Sequence, residues 1–239
     1  MGSVSAARRE QIAAGLAAAR ERIRQAESSA GRPAGSVSLT VVTKTFPAEE
    51  IAVLAELGVR DVGENRDQEA APKAQALESH DLVWHYIGQL QSNKARSVVG
   101  YAGIVESVDR PKLVGALSRA AEAVGRTLAC LVQVSLEPGS DAGPGRGGVD
   151  PNGLSALADA VAESPALDLR GVMAVAPLGE DPDQAFSRLA ELADRLRQGH
   201  PQASAISAGM SADLEAAVRH GATHVRLGSA ILGYRPPVG

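Results

Sequence analysis

Eight short apolar runs alternate with helical stretches along almost the whole chain, and this alternation restricts the possible folds more than any other feature. The runs lie at 37–43, 59–63, 82–88, 103–108, 127–135, 167–175, 203–208 and 223–227. Helical patterning falls between them, at 47–57, 66–78, 91–98, 110–124, 151–163, 182–198 and 211–220, with a short piece at 229–232. Strands that alternate with helices pair in parallel through right-handed crossovers. Eight such units predict an α/β fold, a single (β/α)8 TIM barrel. A doubly wound open sheet is the competing architecture. The barrel is favoured because the first, seventh and eighth runs all end in reactive or anion-binding residue types, and closure brings those ends together. An amphipathic segment, 5–30, precedes the first run, with Ile12, Leu16 and Ile23 at helical spacing and Gly31 and Pro33 closing it. Residues 1–239 therefore read as one barrel domain with an extra N-terminal helix.

Bulk properties exclude several function classes. The 239 residues carry a formal net charge of −4, which argues against the basic footprint of a nucleic-acid binder. No apolar stretch reaches membrane-spanning length. The one cysteine, Cys130, lies inside an apolar run. No intrachain disulfide can form, so a buried core thiol and a cytoplasmic setting are expected. Aromatics are only 3%, leaving Ala, Val and Leu to fill the interior. A monomer is expected, because no large apolar helix face is left over once the barrel is built. The Gly/Pro-rich stretch 137–148 reads as a loop over the barrel mouth.

The chemistry centres on Lys44. Only Lys44, Lys73, Lys94 and Lys112 among the 24 basic residues are lysines. Arginine neither loses its proton nor forms an imine, so a lysine at this place points to an amine with work to do. Alternation puts Thr40, Val42 and Lys44 on one face of the first strand. Lys44 is then expected to project inward at the C-terminal mouth, where barrel active sites lie. A lysine snorkelling outward from a strand end is the other reading.

The seventh and eighth runs lead into Ser207-Ala-Gly-Met-Ser211 and Arg226-Leu-Gly-Ser229. Small residues and a hydroxyl at a strand-to-helix turn suit an anion, and the loops after strands 7 and 8 commonly bind phosphate in barrels. An imine-forming lysine beside a phosphate site suggests pyridoxal 5′-phosphate (PLP), with the phosphate on Ser211, Gly228 and Ser229 and the aldehyde at Lys44. Arg226 alternates with Val225 and Leu227 and can face inward. There it would keep the ring nitrogen of the cofactor unprotonated, making the ring a poor electron sink, or it would pair with the phosphate. No metal site is expected.

These segments together resemble a family. Val42-Thr-Lys44-Thr, Gly63-Glu-Asn-Arg-Asp-Gln-Glu69, His85-Tyr-Ile-Gly-Gln-Leu-Gln-Ser-Asn-Lys94, Gly171-Val-Met-Ala174, Ser207-Ala-Gly-Met-Ser211 and Val225-Arg-Leu-Gly-Ser-Ala-Ile-Leu-Gly233 are similar to stretches of the PLP homeostasis proteins of the YggS and PROSC type, relatives of the alanine racemase N-terminal barrel. The resemblance implies a fold type III PLP-binding barrel carrying the cofactor as a Schiff base on Lys44. It implies storage, delivery or buffering of PLP without established turnover, with PLP-dependent apo-enzymes as candidate recipients. It also implies that Asn65, Met210 and His85 lie near the cofactor. Asn65 also reads as a helix cap, and His85 as a satisfied core histidine. A PLP-dependent racemase-like enzyme is the alternative function. A Schiff-base aldolase on phosphorylated sugars is a third, which the motif set disfavours. Many members carry an aromatic where this chain has Arg66.

Overall fold

In the computed structural model, which describes residues 4–137 and 147–233, the β-branched run near the start becomes strand β1 (Ser38–Val42). It is followed by β2 (Asp61–Glu64), β3 (Val83–Tyr86), β4 (Ile104–Val108), β5 (Leu128–Gln133), β6 (Leu167–Met173), β7 (Ala205–Ser207) and β8 (His224–Leu227). The strands pair in sequence order into a closed barrel. Closure is the parallel pairing of β1 with β8, from Ser38 opposite His224 to Val41 opposite Leu227. The (β/α)8 barrel expected from the alternation is the fold observed.

Helices α2 (Ala48–Glu56), α3 (Asp67–Ala76), α4 (Ala95–Tyr101), α5 (Pro111–Ala123), α6 (Leu154–Ala162), α7 (Pro182–Gly199) and α8 (Leu214–Arg219) follow β1 to β7 in turn. The helix after β8, α9 (Ser229–Leu232), has only four residues, too few to cover its strand. The 24-residue α1 (Ala6–Ser29) fills that gap in the ring. Its Ile12, Leu16 and Ile23 pack in one apolar cluster with Val41 and Leu227 of the seam and with Ile51, Leu214, Ile231 and Leu232 of the flanking helices. At Gly15 an added Cβ would stand 2.5 Å from the Ile231 carbonyl oxygen, so glycine lets α1 and α9 touch.

Local chemistry sets the helix ends. Ser5 caps α1 by accepting from the Arg8 N–H, and Asp181 caps α7 ahead of Pro182. Buried Glu27 accepts from the Gly35 and Val37 N–H groups, tying the loop after α1 to the start of β1.

Three elements differ from expectation. The stretch 91–98 divides into a 3₁₀ turn at Ser92–Lys94 and α4, which runs on to Tyr101. The helix expected over 211–220 begins only at Leu214. The Asp213 carboxylate accepts from the Met210 N–H at 2.6 Å and closes a turn instead. β1 ends at Val42, two residues before Lys44. Most of the stretch 137–148, and Tyr234, lie outside the described residues.

Candidate functional site

The strand expected to close on an amine turns before it gets there. Thr40 and Val42 do share a face, both lying against Gly63 of β2, while Val41 packs outward among helix residues. Thr43 is then buried. Its N–H donates to the Gly63 carbonyl at 3.0 Å and its hydroxyl to Glu64 Oε1 at 2.7 Å. The chain reverses as the Phe46 N–H donates to the Thr43 carbonyl, and Thr45 takes a left-handed φ of 69°. Lys44 therefore stands exposed at the C-terminal end of β1. Its amine is not the buried ammonium that an inward strand position predicts, and among the described residues it has no hydrogen-bond or ion-pair partner.

Across the seam, β8 ends against this turn. A Cβ at Gly228 would stand 3.0 Å from the Val42 carbonyl oxygen, so glycine lets the two strand exits touch without displacing either. Gly228 and Ser229 are half-exposed. The first N–H groups of α9 have no acceptor within the helix. In the neighbouring turn after β7, Gly209 has φ 92°, and its added Cβ would meet the Ala217 side chain at 2.7 Å. Met210 and Ser211 are exposed beyond it. The Ser211 carbonyl accepts from Arg22 of α1 at 2.8 Å, and Arg22 pairs with Glu215 through two nitrogens.

Beneath the mouth the barrel interior is polar, where branched apolar side chains are the rule. Arg226 is 4% exposed. Its Nη1 donates to Ser207 Oγ at 2.6 Å and its Nη2 to the Ala174 carbonyl at 2.9 Å. Ser207 in turn donates to Glu106 Oε2 at 2.6 Å. Glu106 Oε1 meets His85 Nδ1 at 2.6 Å, and His85 Nε2 reaches Asp61 Oδ1 at 3.0 Å. Burial alone would lower the His85 pKa, but its bonds to Asp61 and Glu106 and their charges outweigh burial and lift it to about 9. Burial alone would raise the Glu106 pKa, yet His85, Arg226 and Ser207 hold it near 2. Carboxylate, imidazolium, carboxylate and guanidinium thus alternate through the barrel.

The sequence-selected residues divide accordingly. The fold brings Lys44, Gly228, Ser229 and Arg226 to one side of the barrel, on two adjacent strands and their exits. His85 is not part of that mouth. It is 1% exposed with both ring nitrogens engaged, which leaves none for a ligand and makes it a satisfied core histidine. Asn65 follows β2 at the mouth, half-buried. A Cβ at Gly88 would stand 2.2 Å from the Asn65 carbonyl oxygen, so the Ile87-Gly88 turn presses on the Asn65 backbone. The Asn65 side chain makes no cap bond, and α3 starts after Arg66 without one. Sequence reasoning passed over Glu106 and Asp61, and it read Glu64 with Asn65 as a helix cap, not as a buried partner of Thr43 and Lys73. The available signal was a carboxylate on an apolar strand, since such a group is buried only with a partner. Among the described residues no His, Cys, Asp and Glu cluster suits a metal.

A closed parallel barrel with an unpartnered amine at its mouth, a small-residue turn beside it and a buried arginine below defines a class of cofactor-binding barrels. The alanine racemase N-terminal domain model matches residues 15–236. The pyridoxal phosphate homeostasis protein of Mycobacterium tuberculosis is 42% identical over 95% of this chain and 94% of its own length. PipY of Synechococcus elongatus, whose solved structure has PLP bound, is 36% identical with a TM-score of 0.81, covering 93% of this chain and all of PipY. Alanine racemase of Corynebacterium glutamicum shares the fold at 15% identity and a TM-score of 0.69, over 97% of this chain and 62% of the racemase. The chain belongs to the alanine racemase N-terminal domain family and, within it, to the pyridoxal phosphate homeostasis proteins.

Proposed function

We propose that this protein binds PLP at the C-terminal mouth of the barrel through Lys44 and serves PLP homeostasis, storing, delivering or buffering the cofactor. The observation that carries the reading is the exposed, unpartnered Lys44 amine one strand away from the Gly228-Ser229 turn. The donor set fits the group: an amine for an aldehyde, a glycine-serine turn for a phosphate, and a fixed cation below. When bound, the cofactor would supply an aldehyde carbon, and Lys44 would supply the amine that condenses with it, releasing water.

This chain's residues do the rest. Gly228 and Ser229, with Ser211 from the next turn, receive the phosphate end, and Met210 borders the cofactor as an apolar neighbour, its N–H being held by Asp213. Asn65 borders the site from β2. Arg226 is held by Ser207 and the Ala174 carbonyl, so it forms a rigid floor. A guanidinium there disfavours a protonated pyridine nitrogen, which suits holding the cofactor over carbanion chemistry. The relatives' names describe homeostasis and not a reaction. PLP-dependent apo-enzymes are the recipients this role implies. Among the described residues no helix is long and apolar enough to cross a membrane.

The test is absorbance and intact mass after mixing with PLP and reduction with borohydride. One cofactor trapped on Lys44 supports the reading. Cofactor bound with position 44 unmodified defeats it, and turnover of an amino acid abolished by Lys44→Ala would favour a racemase-like enzyme.

A further inference from the structure

We propose that Glu69 and Lys73 of α3 are positioning residues that grip the backbone on either side of Lys44 and so aim its amine. This deepens the reading of Lys44 as the cofactor-binding amine and rests on it. Lys73 Nζ donates to the Thr43 carbonyl at 3.1 Å, on the N-terminal side of Lys44. Glu69 Oε2 accepts from the Thr45 N–H at 3.0 Å, on the C-terminal side. Both anchors come from one helix, one turn apart, with Lys73 Nζ 3.9 Å from Glu69 Oε2. Glu64 Oε1 binds both the Thr43 hydroxyl and Lys73 Nζ at 2.7 Å, which fixes Lys73 in turn.

Two features say that this grip does more than fill space. Thr45 has φ 69°, and among the described residues it is the only non-glycine with positive φ. A β-branched side chain is disfavoured there, so the conformation persists only where neighbours impose it, and Glu69 holds the N–H of that residue. The Glu64–Lys73 pair is also costly. The two side chains are 1% and 12% exposed, and among the described residues Glu64 Oε2 has no hydrogen-bond partner. Buried pairs of this kind are poor stabilisers. What this one achieves is a fixed carbonyl next to Lys44. An amine on a slack turn samples many directions, whereas one on a fixed knuckle is preset for attack on a carbonyl held beside it.

The test uses the full chain with PLP. It reads the rate of borohydride-trapped adduct at Lys44, amide hydrogen exchange at Thr45, and Tm. Glu69→Ala slows trapping about tenfold or more and speeds Thr45 exchange by about tenfold. Its Tm falls by about 2–4 °C, as for the loss of one hydrogen bond of about 1 kcal/mol. Glu69→Gln keeps an oxygen acceptor and restores most of the rate. Lys73→Met strands Glu64 and can unfold the barrel. The paired change Lys73→Met with Glu64→Leu removes both charges, folds, and still slows trapping about tenfold. Trapping in Glu69→Ala within about twofold of the parent, or unchanged Thr45 exchange, overturns the proposal. A parent protein that gives no adduct defeats the cofactor reading alone, and Thr45 exchange still decides whether the grip exists.

Discussion

Thr40 and Arg226 are paired residues on the seam where β1 meets β8. The strand that delivers Lys44 and the strand that carries the buried guanidinium are therefore hydrogen-bonded neighbours, although 186 positions of chain separate them. In a doubly wound open sheet the first strand lies inside the sheet and the last at an edge, so the two are not neighbours. Closure alone makes one site of them.

Lys44→Ala should remove all cofactor adduct and leave the fold intact. The side chain is exposed and unpartnered, so stability should change by no more than about 0.5 kcal/mol. Intact mass after borohydride reduction checks the first outcome, and thermal melting the second.

Arg226→Leu should be severe. It leaves Glu106 buried beside His85 with one cation gone, and breaking a buried pair on one side costs about 3–5 kcal/mol. Tm should fall by about 6 °C or more. The double change Arg226→Leu with Glu106→Leu should recover much of that loss. Calorimetry on the two single variants and the double variant measures the coupling.

Stability should decline on the alkaline side. The His85 pKa is raised from 6.5 to about 9, so the folded state binds its proton more tightly than the unfolded chain does. That contribution is complete below about 6.5 and lost as pH rises through about 9, a change on the order of 3 kcal/mol. Urea unfolding across that range should show the decline. His85→Gln should flatten it.

Gly88→Ala should destabilise the protein and weaken PLP binding together, because its Cβ would stand 2.2 Å from the Asn65 carbonyl oxygen. Overpacking of this kind costs about 1–3 kcal/mol. Gly100 of α4 has nothing within 4 Å of an added Cβ, so Gly100→Ala should instead stabilise by about 0.5–1 kcal/mol. Melting curves and a PLP titration separate the two.

Ser229→Asp should discriminate between ligands. A carboxylate at the turn repels a phosphate, so PLP affinity should drop about tenfold or more, while pyridoxal without its phosphate should bind nearly as before. Equal losses for both ligands would show that the phosphate does not sit there.

Much of this was legible in the chain. The alternation of eight apolar runs with helical segments determined the barrel, because period-two and period-3.6 patterns are local properties. The scarcity of lysine singled out Lys44, and strand parity turned Arg226 inward. Small residues after β7 and β8 marked two tight turns at the mouth, where closely packed backbone leaves little room for a Cβ.

What only the tertiary structure decided is how those residues meet. Parity predicted that Lys44 continues the inward face of β1, but the bonds of Thr43 to Gly63 and Glu64, and the left-handed Thr45, end the strand early and expose the amine. Parity likewise could not say that Glu106 would stand between His85 and Ser207. The physical reason is the same for both. A strand's own sequence sets which face a residue takes, whereas the partners it finds across a barrel depend on closure and stagger, which arise from contacts between segments far apart in the chain.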